Sequence, residues 1–139
     1  GLPTRLEGGT PNVAGAVGLA AAADFIDRTG RGAIDAHVGA LRAHAAAGLA
    51  ALPGVRLLAA DAAGSAIVSF AAEGVHPHDI GTLLDEQGIA VRTGHHCAQP
   101  LLEHLGLGPT TRASFALYNT HDEVERLLAG VARAREVLR

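Results

Sequence analysis

The sequence predicts an α+β fold in which helices cover one face of a small, mainly antiparallel four-stranded sheet. Apolar residues recur at helical spacing in some segments and at strand spacing in others. The predicted order is α-α-β-β-α-β-α-β-α, which lacks the strict strand–helix alternation of a parallel sheet. The 139 residues suffice for one domain with a hydrophobic core. Because 48% of them are apolar but only 3% aromatic, that core must be built from Ala, Val, Leu and Ile.

Two long helices are predicted in the first third of the chain. Thr10 and Pro11 suit the N-cap and first positions of a helix over residues 11–28. A second helix is predicted over residues 33–52, before Pro53-Gly54. Its apolar stripe consists of Ile34, Val38, Leu41, Ala45, Leu49 and Leu52.

The middle of the chain predicts an antiparallel pair of strands followed by a helix. Residues 55–59 and 65–71 have strand composition, and residues 61–64 form the turn between them. His76-Pro77 then begins a helix that ends near Gly88.

Two more strands and two helices complete the prediction. The strands cover residues 89–92 and 111–118, with a short helix over residues 100–105 between them. Thr120 and Glu123 have the spacing of a capping box, which predicts the start of the final helix.

Charge and composition exclude several classes of protein. The net charge is −3 without a long charged run, so nothing favours binding to nucleic acid or to a membrane surface. No apolar run reaches the ~18 residues of a membrane-spanning helix. A single cysteine suits a reducing compartment, and we expect a cytoplasmic protein. All 11 basic residues are arginines, so a mechanism that needs a lysine Schiff base cannot be completed by these residues.

The candidate nucleophile is the only cysteine, in the segment Arg92-Thr93-Gly94-His95-His96-Cys97-Ala98-Gln99-Pro100. A thiolate is a strong nucleophile near neutral pH, and adjacent imidazoles can favour it or exchange protons with it. Most free cysteines are instead buried and act as small apolar side chains. The polar loop around Cys97 favours the nucleophile over that alternative.

An arginine in the last predicted strand is the candidate anion-binding group. Burying the charge of Arg112 without a partner would be costly, so this side chain requires an anion. Two interpretations remain open: an ion pair with a carboxylate of this chain, or a bidentate clamp on a substrate carboxylate.

Two weaker motifs also have alternative interpretations. Gly8-Gly9-Thr10-Pro11-Asn12 could bind phosphate at a helix start, or could simply cap that helix. Five possible zinc ligands lack any familiar spacing; they are His76, His78, His95, His96 and Cys97. The simpler interpretation of His76 and His78 is helix capping, and we expect His37 and His44, seven residues apart, to be solvated.

Four blocks of the sequence together resemble the C-terminal part of SufS-type cysteine desulfurases. These enzymes use pyridoxal phosphate and belong to the class V aminotransferase group. The blocks occur in the family's order and span most of the chain: Arg5 to Asn12, Gly74 to Asp79, Arg92 to Pro100, and Arg112 to Thr120.

The resemblance implies a domain organisation. Residues 1–10 would be a linker that contacts the cofactor phosphate, and residues 11–139 the small domain of a fold type I pyridoxal-phosphate enzyme. The family's cofactor lysine belongs to a larger domain that these residues do not include. We therefore expect the chain alone to be inactive.

The resemblance also implies roles for single residues. Cys97 would take sulfur from L-cysteine as a persulfide and release alanine, with His95 and His96 tuning the thiol and Arg112 holding the substrate carboxylate. Gly9 and Thr10 would contact the cofactor phosphate of the other subunit in a homodimer.

Further implications concern partners and alternatives. The persulfide would pass to a sulfur-acceptor protein for iron–sulfur cluster assembly, and His78 would contact zinc in such a partner. One alternative is a selenocysteine lyase or another class V lyase. Another is a stand-alone zinc-binding or sulfur-carrying module.

Overall fold

A computed structural model describes residues 1–59 and 64–138. The chain forms two compact units, Gly1–Ile34 and Asp35–Arg139. The first contains a short 3-10 helix, Thr4–Leu6, then helix α1, Val13–Thr29, and the first turn of helix α2. Of the helices within the described residues, none has the length and hydropathy that crossing a membrane requires.

The start of α1 differs from the prediction. The N-cap is Asn12, whose Oδ1 accepts a hydrogen bond of 2.9 Å from the Gly15 N–H. Thr10 is therefore not the cap, and α1 begins two residues later than expected. The reason is local: the carboxamide of Asn12 reaches the N–H three residues ahead, as N-caps do.

The α+β prediction and the predicted order of elements are confirmed. The second unit contains the rest of α2, Arg31–Ala51, and then β1, Val55–Leu58; β2, Ile67–Ala72; α3, Pro77–Asp85; β3, Arg92–Gly94; α4, Gln99–His104; β4, Thr110–Ser114; and α5, His121–Val137. Within the described residues the sheet has four strands in the order β1-β2-β4-β3, and every neighbouring pair is antiparallel.

One face of this sheet forms the hydrophobic core. Val68 and Phe70 of β2 and Ala113 of β4 lie on it, together with apolar residues of α2, α3 and α5. Phe70 is completely buried. Burying such a side chain contributes roughly 1.5–3 kcal/mol, so this helix-covered face supplies much of the folding free energy.

The opposite face carries the next residues along the same strands. The register pairs Ser69 of β2 with Arg112 of β4, and Arg112 with Arg92 of β3. Because directly opposed residues project from the same side of a sheet, these three side chains share one face. We call this the open face, and β1 contributes Arg56 and Leu58 to it.

The bounds of β1 and β2 lie within two residues of the prediction, whereas those of the last two strands differ more. The predicted strand 111–118 stops at Ser114, because Asn119 accepts a hydrogen bond from the Ala116 N–H at 2.8 Å and closes a turn. The predicted strand 89–92 becomes β3 at residues 92–94, because the Ile89 N–H still bonds to the carbonyl of Leu84 at the end of α3. Of the predicted turn at 61–64, only Gly64 lies within the described residues.

The final helix starts as predicted. The Glu123 N–H donates to Thr120 Oγ1 at 3.3 Å, and the Thr120 N–H donates to the Glu123 carboxylate at 2.9 Å, which completes the capping box. The hydrogen bond from the Thr120 N–H is the main cause of a lowered pKa at Glu123. A second hydrogen bond, from the side-chain amide of Asn119 to the same carboxylate, lowers this pKa further. Charge-assisted bonds to a cap favour the ionised carboxylate.

Candidate active site

The Cys97 loop leaves the end of β3 through a tight turn. Gly94 has a φ of 115°, and both His96 and Cys97 adopt left-handed backbone conformations, with φ of 55° and 59°. The Ala98 N–H closes the turn on the His95 carbonyl at 2.9 Å. Two consecutive non-glycine residues in this region cost roughly 1–2 kcal/mol each. The turn therefore requires compensating contacts, and it leaves Cys97 exposed, so the buried-cysteine alternative is wrong.

One such contact is made by an arginine that the sequence analysis gave no role. Arg92 Nη2 donates to Cys97 Sγ at 3.1 Å. The tight turn brings the sulfur back over the strand from which the loop departs. In the sequence, the only sign of this contact is a basic residue five positions before the cysteine. Whether the two side chains meet depends on the tight turn, which local sequence patterns do not reveal.

Arg112 lies in the middle of β4, half-buried on the open face. Its Nε is buried and has no hydrogen-bond partner among the described residues. No ion pair joins it to a carboxylate of any described residue. Within that part of the chain, the interpretation of Arg112 as an internal salt bridge is wrong. The guanidinium is available to an external anion, for which its planar, forked donors are well suited.

His96 is held next to Arg112. Its Nε2 lies 2.9 Å from the hydroxyl of Thr110, which is only 1% exposed. Its Nδ1 is buried, and no group in the described part of the chain forms a hydrogen bond with it. Burial lowers the pKa of His96, and the charges of Arg112 and Arg92 lower it further. The surroundings of His96 therefore favour its neutral form, which can accept a proton, whereas His95 is exposed to solvent.

These groups border a cavity of about 360 Å³ between the open face and α4. Its polar side is formed by Ser69, His95, His96, Thr110 and Arg112. The remaining lining is mainly aliphatic, from Leu58, Ala59, Ile67, Ala98, Leu101, Leu102 and Leu105. Cys97 is exposed and lies between two lining residues, His96 and Ala98. The site therefore combines a guanidinium without a carboxylate partner in residues 1–59 and 64–138, an imidazole whose pKa is lowered, and an accessible thiol.

The predicted phosphate-contact residues lie in the first unit. Gly9 and Thr10 are exposed, and a side chain added at Gly9 would meet nothing within 4 Å. The described residues around Gly9 therefore form no closed cradle there, and the predicted phosphate contact stays a prediction.

The remaining histidines are mostly structural. His76 caps α3, since its Nδ1 accepts the His78 N–H at 3.2 Å, which confirms the capping interpretation. His78 itself is exposed. Among the described residues, no group of three or more His, Cys, Asp or Glu side chains is arranged to hold a metal ion. The expectation of simple solvation is wrong for His37, whose half-buried ring lies 2.9 Å from the Asn119 carbonyl. His44 is partly exposed, as expected, and lies 2.5 Å from the exposed Glu125 carboxylate.

Comparison with known proteins identifies close relatives. Probable cysteine desulfurase 2 of Mycobacterium leprae (strain TN) is 53% identical over 135 residues, which cover 95% of this chain and 32% of the relative. The probable cysteine desulfurase of Xylella fastidiosa (strain Temecula1) is 46% identical over 136 residues, covering 98% and 33%. The chain thus spans about a third of the length of the curated relatives it matches.

Solved structures and a family model agree with these relatives. The cysteine desulfurase CsdA of Escherichia coli superposes with a TM-score of 0.90 at 43% identity, over 99% of this chain and 34% of CsdA. The cysteine desulfurase of Thermococcus onnurineus NA1 gives 0.87 at 41% identity, over 98% and 34%. The family model described as aminotransferase class-V matches residues 1–127, and the chain therefore belongs to the class-V aminotransferase family.

Proposed function

We propose that this chain carries the sulfur-accepting part of a pyridoxal-phosphate-dependent cysteine desulfurase. The observation that carries the proposal is one cavity lined by Arg112, which has no carboxylate partner among the described residues, and by His96 and Ala98 on either side of the exposed thiol Cys97. A free amino acid substrate offers both groups that this pair would engage, a carboxylate and a sulfur. The relatives named cysteine desulfurase support the choice of reaction.

Arg112 binds the carboxylate of L-cysteine. A bidentate pair fixes both the position and the plane of a carboxylate, which a single ammonium does not. Such fixation places the substrate sulfur on one side of the clamp, and positioning of this kind accounts for a large part of catalysis. The aliphatic lining of the cavity reduces the number of polar groups around the ion pair and so favours it.

Cys97 takes the sulfur. Its thiolate attacks the substrate sulfur, a sulfur–sulfur bond forms, and the carbon–sulfur bond of L-cysteine breaks. The electron pair of the broken bond, together with a proton, ends on the substrate carbon as the methyl group of alanine. The substrate carbon is reduced, and the transferred sulfur is oxidised to the level of a persulfide on Cys97. No further oxidant or reductant is needed.

Pyridoxal phosphate, when bound, supplies the electron sink for cleavage of the carbon–sulfur bond. The unpaired guanidinium of Arg112 fits the substrate side of such a site. Covalent attachment of the cofactor requires a lysine, and the sequence contains none. The chain thus corresponds to the small domain, with residues 1–10 as linker, and acts together with a lysine-bearing domain.

Several finer roles belong to the same proposal. Gly9 and Thr10 contact the cofactor phosphate of the second subunit of a homodimer, and both are exposed as that contact requires. The persulfide passes to a sulfur-acceptor protein for iron–sulfur cluster assembly in the cytoplasm, with exposed His78 next to zinc of that partner. The resemblance to SufS-type enzymes carries these assignments.

The test measures alanine released from L-cysteine by this chain joined to the lysine-bearing cofactor domain. We expect Cys97→Ser to abolish both alanine release and the persulfide, detected as a mass increase of one sulfur atom. Arg56→Gln, on the open face but at the far edge strand, serves as the matched control and should retain both. Unchanged alanine release in Cys97→Ser would overturn the assignment.

Two alternatives are separated by the same assay. A selenocysteine lyase would release alanine from L-selenocysteine much faster than from L-cysteine. A solved structure described as the cystine C-S lyase C-DES with its product cysteine persulfide has a TM-score of 0.62 at 28% identity. This similarity favours a class V lyase as the alternative. A stand-alone zinc or sulfur carrier would instead bind stoichiometric metal or sulfur without any cofactor domain.

A further inference from the structure

The geometry points to Arg92 as a positioning residue for Cys97, one that fixes the direction of the sulfur and gives the thiol a preference for anionic partners. This inference rests on the proposed function and adds a second arginine to it. Arg112 binds the carboxylate of the substrate, whereas Arg92 donates a hydrogen bond to the sulfur of Cys97.

The first support is the contact itself. Arg92 Nη2 donates to Cys97 Sγ at 3.1 Å, across a loop of only five residues. The loop contains two left-handed non-glycine residues, His96 and Cys97, whose conformations need compensation. The hydrogen bond from Arg92 to Cys97 and the hydrogen bond between His96 and Thr110 hold the two central residues of this turn.

The second support is the charge arrangement. The register sets Arg92 directly opposite Arg112 on the neighbouring strand. Like charges at directly opposed positions destabilise a sheet. No ion pair joins either arginine to a carboxylate of any described residue. An anion near the thiol would relieve this repulsion, because Arg92, which contacts the sulfur, also lies opposite Arg112.

The test uses the only thiol of the chain as a probe. The rate of alkylation of Cys97 is measured at pH 7 and low salt with neutral iodoacetamide and with anionic iodoacetate. The ratio of the two rates cancels changes in the nucleophile and reports the local charge. In Arg92→Gln we expect the iodoacetate/iodoacetamide ratio to fall about fourfold, the size expected for one unit charge a few ångströms away in water.

Two further variants separate charge from structure. Arg92→Lys keeps the charge and should restore most of the ratio. Arg56→Gln removes an arginine from the same face at the opposite edge strand and should leave the ratio unchanged. The fourfold difference should shrink at high salt, because exposed charges are screened. Circular dichroism verifies that each variant is folded.

An unchanged ratio in Arg92→Gln, or an equal fall in Arg56→Gln, would overturn the inference. So would an Arg92→Lys variant that behaves like Arg92→Gln, since the effect would then not be one of charge. Alkylation needs neither cofactor nor turnover. A failure of this test is therefore distinguishable from a failure of the desulfurase proposal, which is measured by alanine release.

Discussion

The two faces of the sheet are built from alternate residues of the same strands and have opposite characters. On the helix-covered face, Phe70 of β2 is completely buried among apolar side chains. On the open face, the neighbouring Ser69 lies opposite Arg112, whose Nε has no partner. The first face supplies free energy of folding. On the second face, the guanidinium of Arg112 has no carboxylate partner among the described residues, which reduces that free energy. Substitutions on the first face should therefore change stability, and substitutions on the second should change function, even at adjacent residues.

The largest expected effect tests the helix-covered face. Phe70→Ala should lower the free energy of unfolding by roughly 3–5 kcal/mol, because it removes a fully buried ring and leaves a cavity. Ser69→Ala, the adjacent residue on the open face, should change it by less than about 0.5 kcal/mol. Urea denaturation measures both. Similar losses for the two variants would contradict the division between the faces.

The next effect tests the open face. Arg112→Met in the joined protein should lower kcat/KM for L-cysteine about tenfold to a hundredfold, since a hydrogen bond to a charged group contributes about 1.5–3 kcal/mol. The same substitution should leave the free energy of unfolding unchanged or higher, because it removes a buried Nε without a partner and the repulsion with Arg92. Loss of stability in Arg112→Met would show that the guanidinium has a structural role.

A smaller effect concerns the N-terminal cap of α5, one of the helices that cover the sheet. Thr120→Ala should lower the free energy of unfolding by about 1 kcal/mol, because it removes the capping hydrogen bond at the start of α5. Thr82→Ala is the control, since Thr82 donates only to a carbonyl within α3. Thermal unfolding should show a clearly smaller shift for that variant. Equal shifts would mean that the cap contributes little.

The smallest effect is a pH dependence from the open face. The pKa of His96 lies below its ordinary value of 6.5 in the folded state. Its contribution to stability is therefore full above pH 6.5 and is lost as the pH falls toward the folded-state pKa. The lowered pKa of Glu123 acts in the same direction but only below about pH 4.5, the ordinary value of that carboxyl.

Urea denaturation at pH 7.5 and 5.5 isolates the histidine, because Glu123 remains ionised at both values. His96→Gln should reduce the loss of stability between the two pH values. His104→Gln, which changes an exposed histidine at the end of α4, should leave that loss as it is in the unaltered protein. An identical pH dependence in His96→Gln and the unaltered protein would exclude the contribution of His96.

Local signals in the sequence determined the fold class, the order of elements and the positions at which some helices begin. The capping box of Thr120 and Glu123, the cap at His76 and the apolar stripe of α2 follow from residues within a few positions of each other. The exposure of Cys97 followed from the polar residues beside it. These features depend on hydrogen bonds and periodicities within one element, and such patterns are visible in a sequence without knowledge of its partners.

Only the tertiary structure determined which side chains from different strands and loops lie next to each other. Arg92 lies opposite Arg112, twenty positions away, because the pairing of β3 with β4 sets their register. The same pairing and the tight turn at His96 bring Cys97 to Arg92 and Thr110 to His96. Register depends on how two strands bury their apolar residues against the same core, so it is a property of the packed sheet. For this reason the sequence by itself singled out Cys97 and Arg112, while the contact of Arg92 with the thiol became visible only in the fold.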